Sequence, residues 1–405
     1  MKLSVSRQPQ VIPSYSLTGD LLAYLKCGLQ YRYHNKGALP PSKPVQLWFG
    51  EFIHAVMEEA YLRWKDGQAP RRFPWDWSQD IRPIELEVNN RLMARGLYPP
   101  FRLFCPYDGT SSRCFCIDPA QQNHQLIASK RTEAAINTWG PHLFPLISEA
   151  EVPLQGIRPM PSLSAQPRAD YYEITGVVDV IGSVQLAQAP RGNLILHYLS
   201  NDLAVQQVLS QLGGSAYEII LDYKGMRRPS VTSATWQHYE WQVLTYAWLR
   251  AQQPNSNPVV AGIILFINEL EPSREEMEEL QQDVLNRATD IIPQGSDYQA
   301  IVDWKPSQSI PNLSTPFREQ RSIRIIAVTQ NAIQQGLQEF DDVVTDIESS
   351  VLAEMTGQSI IRAWQTRPSG SQYTAPERRT CTACDFKYFC PLAPQVQQGG
   401  PPLAP

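Results

Sequence analysis

From residue 46 to residue 64 the chain reads QLWFGEFIHAVMEEAYLRW, and its apolar positions return every three or four residues, the period of a helix with one buried face. The same period runs through residues 17–34, where Leu21, Leu22, Leu25 and Leu29 form the stripe, Thr18 is the expected N-cap and Asp20 sits in the first turn. It returns over 83–95, 127–139, 233–252 (stopped ahead of Pro254) and the acidic stretch 274–288, and 321–355 reads as one long helix. Strand patterns occupy 149–153, 171–180 and 218–223, short runs carrying Val, Ile and Tyr, while 259–266 is unbroken apolar sequence suited to a buried strand. Helices, three strands, a helix and a further strand predict an α/β sandwich built on a small mixed sheet. The Pro/Gln/Gly-rich end, 391–405, is expected to be disordered.

Composition narrows the class. Of 405 residues, 42% are hydrophobic and 19% charged, which excludes a disordered chain. No apolar run approaches the roughly 20 residues that span a bilayer, and residues 1–10 lack the apolar stretch of a signal peptide, so no membrane contact and a cytoplasmic location are expected. The net charge of −5 excludes a protein coated in positive charge but permits a local basic groove. Arg71-Arg72, Arg227-Arg228, Arg318 with Arg321 and Arg324, and Arg378-Arg379 are the candidates, each alone more often a solvated surface cluster.

Two strands carry candidate chemistry. GVVDVIG places Asp179 in a strand, and EIILDYKG places Asp222 near the end of the next, with Lys224 two residues on. Residues i and i+2 share a strand face, so Asp222 and Lys224 project together, and Asp179 on a neighbouring strand would complete a group of two carboxylates and one ammonium. Hard oxygen ligands of this kind hold Mg²⁺ or Mn²⁺, which activate water for phosphodiester hydrolysis, and a lysine beside them orients that water or neutralises developing charge. An Asp-x-Lys triplet alone is usually an exposed charge pair; at the end of a nearly all-apolar strand it needs a partner or an ion. Tyr223 contributes a backbone carbonyl as a further candidate ligand. Gly50 with His54, and Gln242 with Tyr246, are i, i+4 pairs on the flanking helices, so each pair shares a helix face. His54 is a candidate metal ligand, while Gln242 and Tyr246 are candidates to contact the lysine, the metal ligands or a phosphate.

The chain has seven cysteines, and in a reducing compartment ligation is the stronger explanation for them than disulfides. Cys381, Cys384 and Cys390 have the spacing Cys-x₂-Cys-x₅-Cys, which leaves one ligand open for a zinc or iron–sulfur site. Cys27 is the natural fourth, tying distant parts of the chain together; a zinc site drawing on Cys105, Cys114 or Cys116 is the alternative.

These residues, in this order, resemble the RecB/AddB-like PD-(D/E)XK nucleases that carry an iron–sulfur staple, a group that includes the CRISPR-adaptation exonucleases. Gly50-to-His54, Gly176-to-Asp179, Asp222 with Lys224, and Gln242-to-Tyr246 match that family's motifs, and Cys27, Cys381, Cys384 and Cys390 match its cysteines. The family's first cysteine is often followed by Pro; here Gly28 follows. The resemblance implies a restriction-endonuclease-like α/β core over residues 1–395 as one domain, insertions at about 65–148, 184–213 and 271–319, and a disordered tail at 396–405. It implies Asp179, Asp222, Lys224, Gln242 and Tyr246 in catalysis, His54, Asp179, Asp222 and the Tyr223 carbonyl around Mg²⁺ or Mn²⁺, and a structural 4Fe–4S cluster. The implied activity is DNA hydrolysis at single-stranded ends or flaps, in repair, recombination, CRISPR adaptation or phage defence. There is no Gly-x₄-Gly-Lys-Ser/Thr, so no fused helicase is expected, and the insertions suggest a protein partner. The rival reading is a non-catalytic DNA-binding or structural subunit.

Overall fold

The computed structural model describes residues 12–36, 45–106, 117–118, 123–124, 126–162, 167–366, 381–382, 384–388 and 390. In chain order the elements are β1 (Ser14–Ser16), α1 (Leu22–Lys26), α2 (Gly28–Tyr31), α3 (Val45–Lys65), α4 (Arg82–Ala94), the short pair β2 (Ile117–Asp118) and β3 (Asn123–His124), α5 (Ile127–Leu143), β4 (Ile147–Pro159) and β5 (Tyr171–Gln185). Then come α6 (Leu194–Asn201), α7 (Leu203–Ser210), β6 (Ala216–Lys224), α8 (Ala234–Ala251), β7 (Val259–Phe266), α9 (Arg274–Leu285), α10 (Gly295–Val302), α11 (Thr315–Ser322), β8 (Ile323–Ala327), α12 (Gln330–Met355) and α13 (Ile360–Ala363). The α/β class follows as expected, with a mixed six-stranded sheet ordered β1-β5-β6-β7-β8 and β4 also on β5. No helix among the described residues is long and apolar enough to cross a membrane.

Contacts divide the chain into two compact units, Lys43–Val152 with Val177–Thr329, and Met1–Ser42 with Pro153–Gly176 and Gln330–Pro405. In the first, β6 runs antiparallel to β5 and parallel to β7, and β8 closes antiparallel on β7. A parallel pair needs a crossover, and α8 supplies it between β6 and β7. Gly262 lets α8 settle there: a Cβ at Gly262 would fall inside contact distance of the Val243 side chain. On the other face the buried stripe of α3 (Phe52, Val56, Met57, Ala60) joins Ile219, Leu221, Ile263 and Leu265 in one core, extended by α4 and α5 through Val88, Ile136 and Trp139. A smaller core of Met277, Leu280, Ile301, Trp304 and Phe317 holds α9, α10 and α11 together.

In the second unit β1 pairs in parallel with residues 173–175 of β5. The Tyr172 and Phe340 rings stack at 6.1 Å, and Tyr24, Tyr31 and Trp364 cluster edge to face. Arg168 grips the fully buried Glu348, to which the Tyr15 hydroxyl also donates, and Arg32 holds Glu354 at 2.6 Å.

Two expected helices are corrected. Residues 17–34 are not continuous: a π-turn over Leu17–Leu21, capped by Ser16 rather than Thr18, leads into α1, and the chain turns extended at Cys27 (φ −169°, ψ 112°) before α2. Gly28 is tightly enclosed, since a Cβ there would lie 2.8 Å from the Gln365 carbonyl oxygen, to which Leu29 N–H donates at 3.2 Å. The single helix expected over 321–355 is α11 ending at Ser322, then β8, then α12. Ile323, Ile325 and Ile326 are β-branched, and the ladder to β7 outweighs the helical period. Residues 391–405, Arg378, Arg379, Cys114 and Cys116 lie outside the described residues.

Candidate metal centre

Val180 faces Leu221 across β5 and β6, so Asp179 and Asp222 occupy the next rung, side by side on adjacent strands. Like charges directly opposite repel, so the pair demands a cation. α3 brings His54 to the same place, and one ligand atom from each of His54, Asp179 and Asp222 lies within 4.8 Å of the others. Asp179 Oδ2 accepts from His54 Nδ1 at 3.1 Å and from the Tyr223 N–H at 3.1 Å. His54 Nε2 donates to the Tyr223 carbonyl at 2.6 Å. Both ring nitrogens face oxygen acceptors, an arrangement that suits the protonated ring, and ligating a metal would require one of them to be without its proton.

Lys224 projects beside Asp222, with its Nζ 2.6 Å from Oδ2, and donates to Gln242 Oε1 at 3.1 Å. Gln242 Nε2 in turn donates to the Tyr246 hydroxyl at 3.1 Å, so the i, i+4 pair on α8 forms a relay ending on the lysine. Every residue the sequence nominated for the metal and the catalytic group is therefore brought together: His54, Asp179, Asp222, Tyr223, Lys224, Gln242 and Tyr246.

The electrostatics separate the two carboxyls. Burial pushes the Asp179 carboxyl up, but the adjacent His54 charge and its hydrogen bond carry it well below the usual range. Burial pushes the Asp222 carboxyl up, and although Lys224 opposes this, Asp179 adds to it, leaving Asp222 high. Burial lowers His54, but Asp179 more than offsets that and lifts it to about 9. Burial also lowers Lys224, and Asp222 with Asp179 raises it above its ordinary value.

Whether these residues suit a divalent cation is answered by Asp222. It is 3% exposed, and its close cationic neighbour among the described residues is the Lys224 ammonium, 2.6 Å from Oδ2. One ammonium does not fill the acceptor capacity of two buried carboxylates set side by side, and a hard cation is a partner that their remaining lone pairs suit.

Three neighbours escaped the sequence reading. Glu58 lies one turn beyond His54 on α3. Glu151, at a left-handed φ of 50°, is pushed up to about 7 by burial, with Asp179 and Glu58 adding to the effect. Tyr239 on α8 places its ring 4.7 Å beneath the Lys224 ammonium. Only Glu58 (i+4 from His54) and Tyr239 (i−3 from Gln242) left a spacing signal.

The candidate cysteines fall in the other unit. Phe386 N–H points at Cys384 Sγ, 3.4 Å away, and burial raises the Cys384 thiol, with Cys27 and Cys390 close enough to raise it further. The segments also meet through rings, Phe386 lying 4.9 Å from Tyr33 and 4.7 Å from His34. Cys27, Cys381, Cys384 and Cys390 form no disulfide among the described residues; buried Cys105, whose carbonyl accepts from Arg82, belongs to the unit of the candidate metal centre. No protein-family model matches the chain, and no curated protein matches it either.

Proposed function

We propose that the protein is a metal-dependent DNA nuclease of the PD-(D/E)XK kind. The observation that carries the reading is Asp222, buried beside the Lys224 ammonium and on the same rung as Asp179. His54, Asp179, Asp222 and the Tyr223 carbonyl would hold Mg²⁺ or Mn²⁺. When bound, the cation supplies a water of lowered pKa and positive charge against the phosphate. Lys224, fixed between Asp222 and Gln242, turns its ammonium protons to the attacking water or a phosphate oxygen. Gln242 keeps the lysine in place, and Tyr246 keeps Gln242 in place. DNA with single-stranded ends is the proposed substrate, on the strength of the resemblance. Cys27, Cys381, Cys384 and Cys390 fit a structural 4Fe–4S cluster, hydrolysis needing no electron; the N–H donated to Cys384 Sγ suits a cluster thiolate. A colourless preparation holding zinc and no iron or sulfide would sink that assignment.

The test is cleavage of end-labelled single-stranded and duplex DNA with Mg²⁺ or Mn²⁺. Wild type cuts, and Lys224→Ala loses about a hundredfold or more of the rate while remaining folded. A folded, metal-loaded wild type that binds DNA without cutting would identify a non-catalytic DNA-binding subunit instead.

A further inference from the structure

At the β8 edge of the sheet is a cavity of about 290 Å³, lined by Arg228, Arg324, Tyr198, Asn201, Gln320 and Asp202 among others. Its two arginines share one carboxylate. Asp290 accepts from Arg228 Nε at 2.9 Å and from Arg324 Nη2 at 2.9 Å. Arg321, the neighbouring cation, is taken up by Glu269 at 2.6 Å, and the Asp202 carboxylate on the cavity wall is engaged in capping α7 through the Ala204 and Val205 N–H groups. Arg324 is thus under-served. It is 6% exposed, its Nε and Nη1 have no hydrogen-bond partner among the described residues, and its guanidinium lies over Trp236 at 4.3 Å and Phe266 at 5.9 Å. Buried guanidinium N–H groups left bare are costly, and an oxyanion is the acceptor whose geometry suits them.

The strand register gives this arginine its meaning. Asp222 pairs with Ile264, and Ile264 pairs with Arg324, so the three stand on one rung and leave the same face of the sheet. Two strand spacings, roughly 10 Å, separate the backbone of Arg324 from that of Asp222. β8 is the outer strand, so a nucleic-acid strand crossing the candidate centre and leaving over this edge would bring a neighbouring phosphate to the cavity.

We propose that Arg324 holds a phosphate group of the substrate strand in this cavity, while Arg228, already bonded to Asp290 and to the Ile323 carbonyl, fixes the wall beside it; the assignment of that phosphate to a nucleic acid rests on the nuclease reading. Burial and the Arg228 charge hold the Arg324 guanidinium down to about 10, as befits a cation short of anions. A phosphate there fixes the strand relative to the metal ligands, a positioning role rather than a chemical one.

The experiment has two arms, both on the full chain without divalent metal, so that it reads binding whether or not the protein cuts DNA. In the first, inorganic phosphate is compared with chloride at equal ionic strength by thermal unfolding of wild type, Arg324→Gln and Gln320→Glu. Gln320 is exposed on the rim, so its substitution adds a negative charge without touching the buried ion pairs. Phosphate should stabilise wild type and lose that effect in both variants. The second arm measures single-stranded oligonucleotide affinity by anisotropy, with either a 5′-hydroxyl or a 5′-phosphate end. About a tenfold loss in both variants on both oligonucleotides assigns a backbone phosphate, and a loss confined to the 5′-phosphate assigns the strand end. Phosphate stabilisation that survives in both variants, or is missing from wild type, overturns the proposal. A wild type that shows the phosphate effect and never cuts DNA with metal would overturn the nuclease reading and leave the phosphate site standing.

Discussion

Asp222 makes the sharpest demand of any single residue in the candidate centre: a buried carboxylate set beside a second carboxylate, with the Lys224 ammonium 2.6 Å away. Because a ligand that binds only the folded state stabilises it by mass action, Mn²⁺ at a hundredfold excess over its dissociation constant should add about 2.7 kcal/mol to the stability of wild type. Asp222→Asn, which removes the charge and keeps the shape, should abolish the response in thermal unfolding. Equal shifts in the two proteins would place the ion elsewhere. The proximity of these side chains was legible in part, because strand and helix periods align Asp222 with Lys224 and Gln242 with Tyr246, while their grouping into one site came from the resemblance. Glu151 was not legible, because it reaches the neighbourhood through a left-handed backbone turn at φ 50°, which no period encodes.

At the scale of elements, the strands that build the centre are β-branched and apolar enough to read directly, and β7 begins and ends where its unbroken apolar run does. β8 was hidden because Ile323–Ala327 lies between two helical segments and its side chains also satisfy a helical stripe; only the ladder to β7 decides between the two. The break at Cys27 was likewise hidden, since Leu21, Leu25 and Leu29 keep the helical period across it. What seats α8, and with it Gln242, is the close approach at Gly262. Gly262→Ala should push Val243 outward and cost about 1–3 kcal/mol in denaturant unfolding, as overpacked cores do. The second substitution Val243→Ala should recover most of that loss, because it removes the atoms that the new methyl meets. A full loss that persists in the double variant would mean that the helix is seated by other contacts.

At the scale of the whole molecule, each unit is assembled from separated stretches of chain, an interleaving that no local pattern announces. Both units nevertheless carry ion pairs that answer to the same acid range. In one, burial pushes the Asp290 carboxyl up, but the Arg228 hydrogen bond and charge bring it down to about 2. In the other, the bond from Arg32 holds Glu354 down to about 2, with Trp364 Nε1 donating to the same carboxylate at 2.7 Å. A carboxyl whose folded pKa lies below its unfolded value stabilises the fold at every pH above the unfolded value, and that stabilisation drains away as pH falls toward the folded one. For Glu354 the window runs from 4.5 down to about 2. Trp364 reports on it selectively, because the other nine of the ten tryptophans fall outside the unit that holds Glu354. The fluorescence difference between wild type and Trp364→Phe should therefore change within that window as Glu354 takes up its proton. Arg32→Gln should move the change to higher pH, because without the guanidinium the carboxyl returns toward its ordinary value. A difference signal that is flat from pH 5 to pH 2, or one that Arg32→Gln leaves in place, would show that the Arg32–Glu354 pair does not set the acid response of this unit.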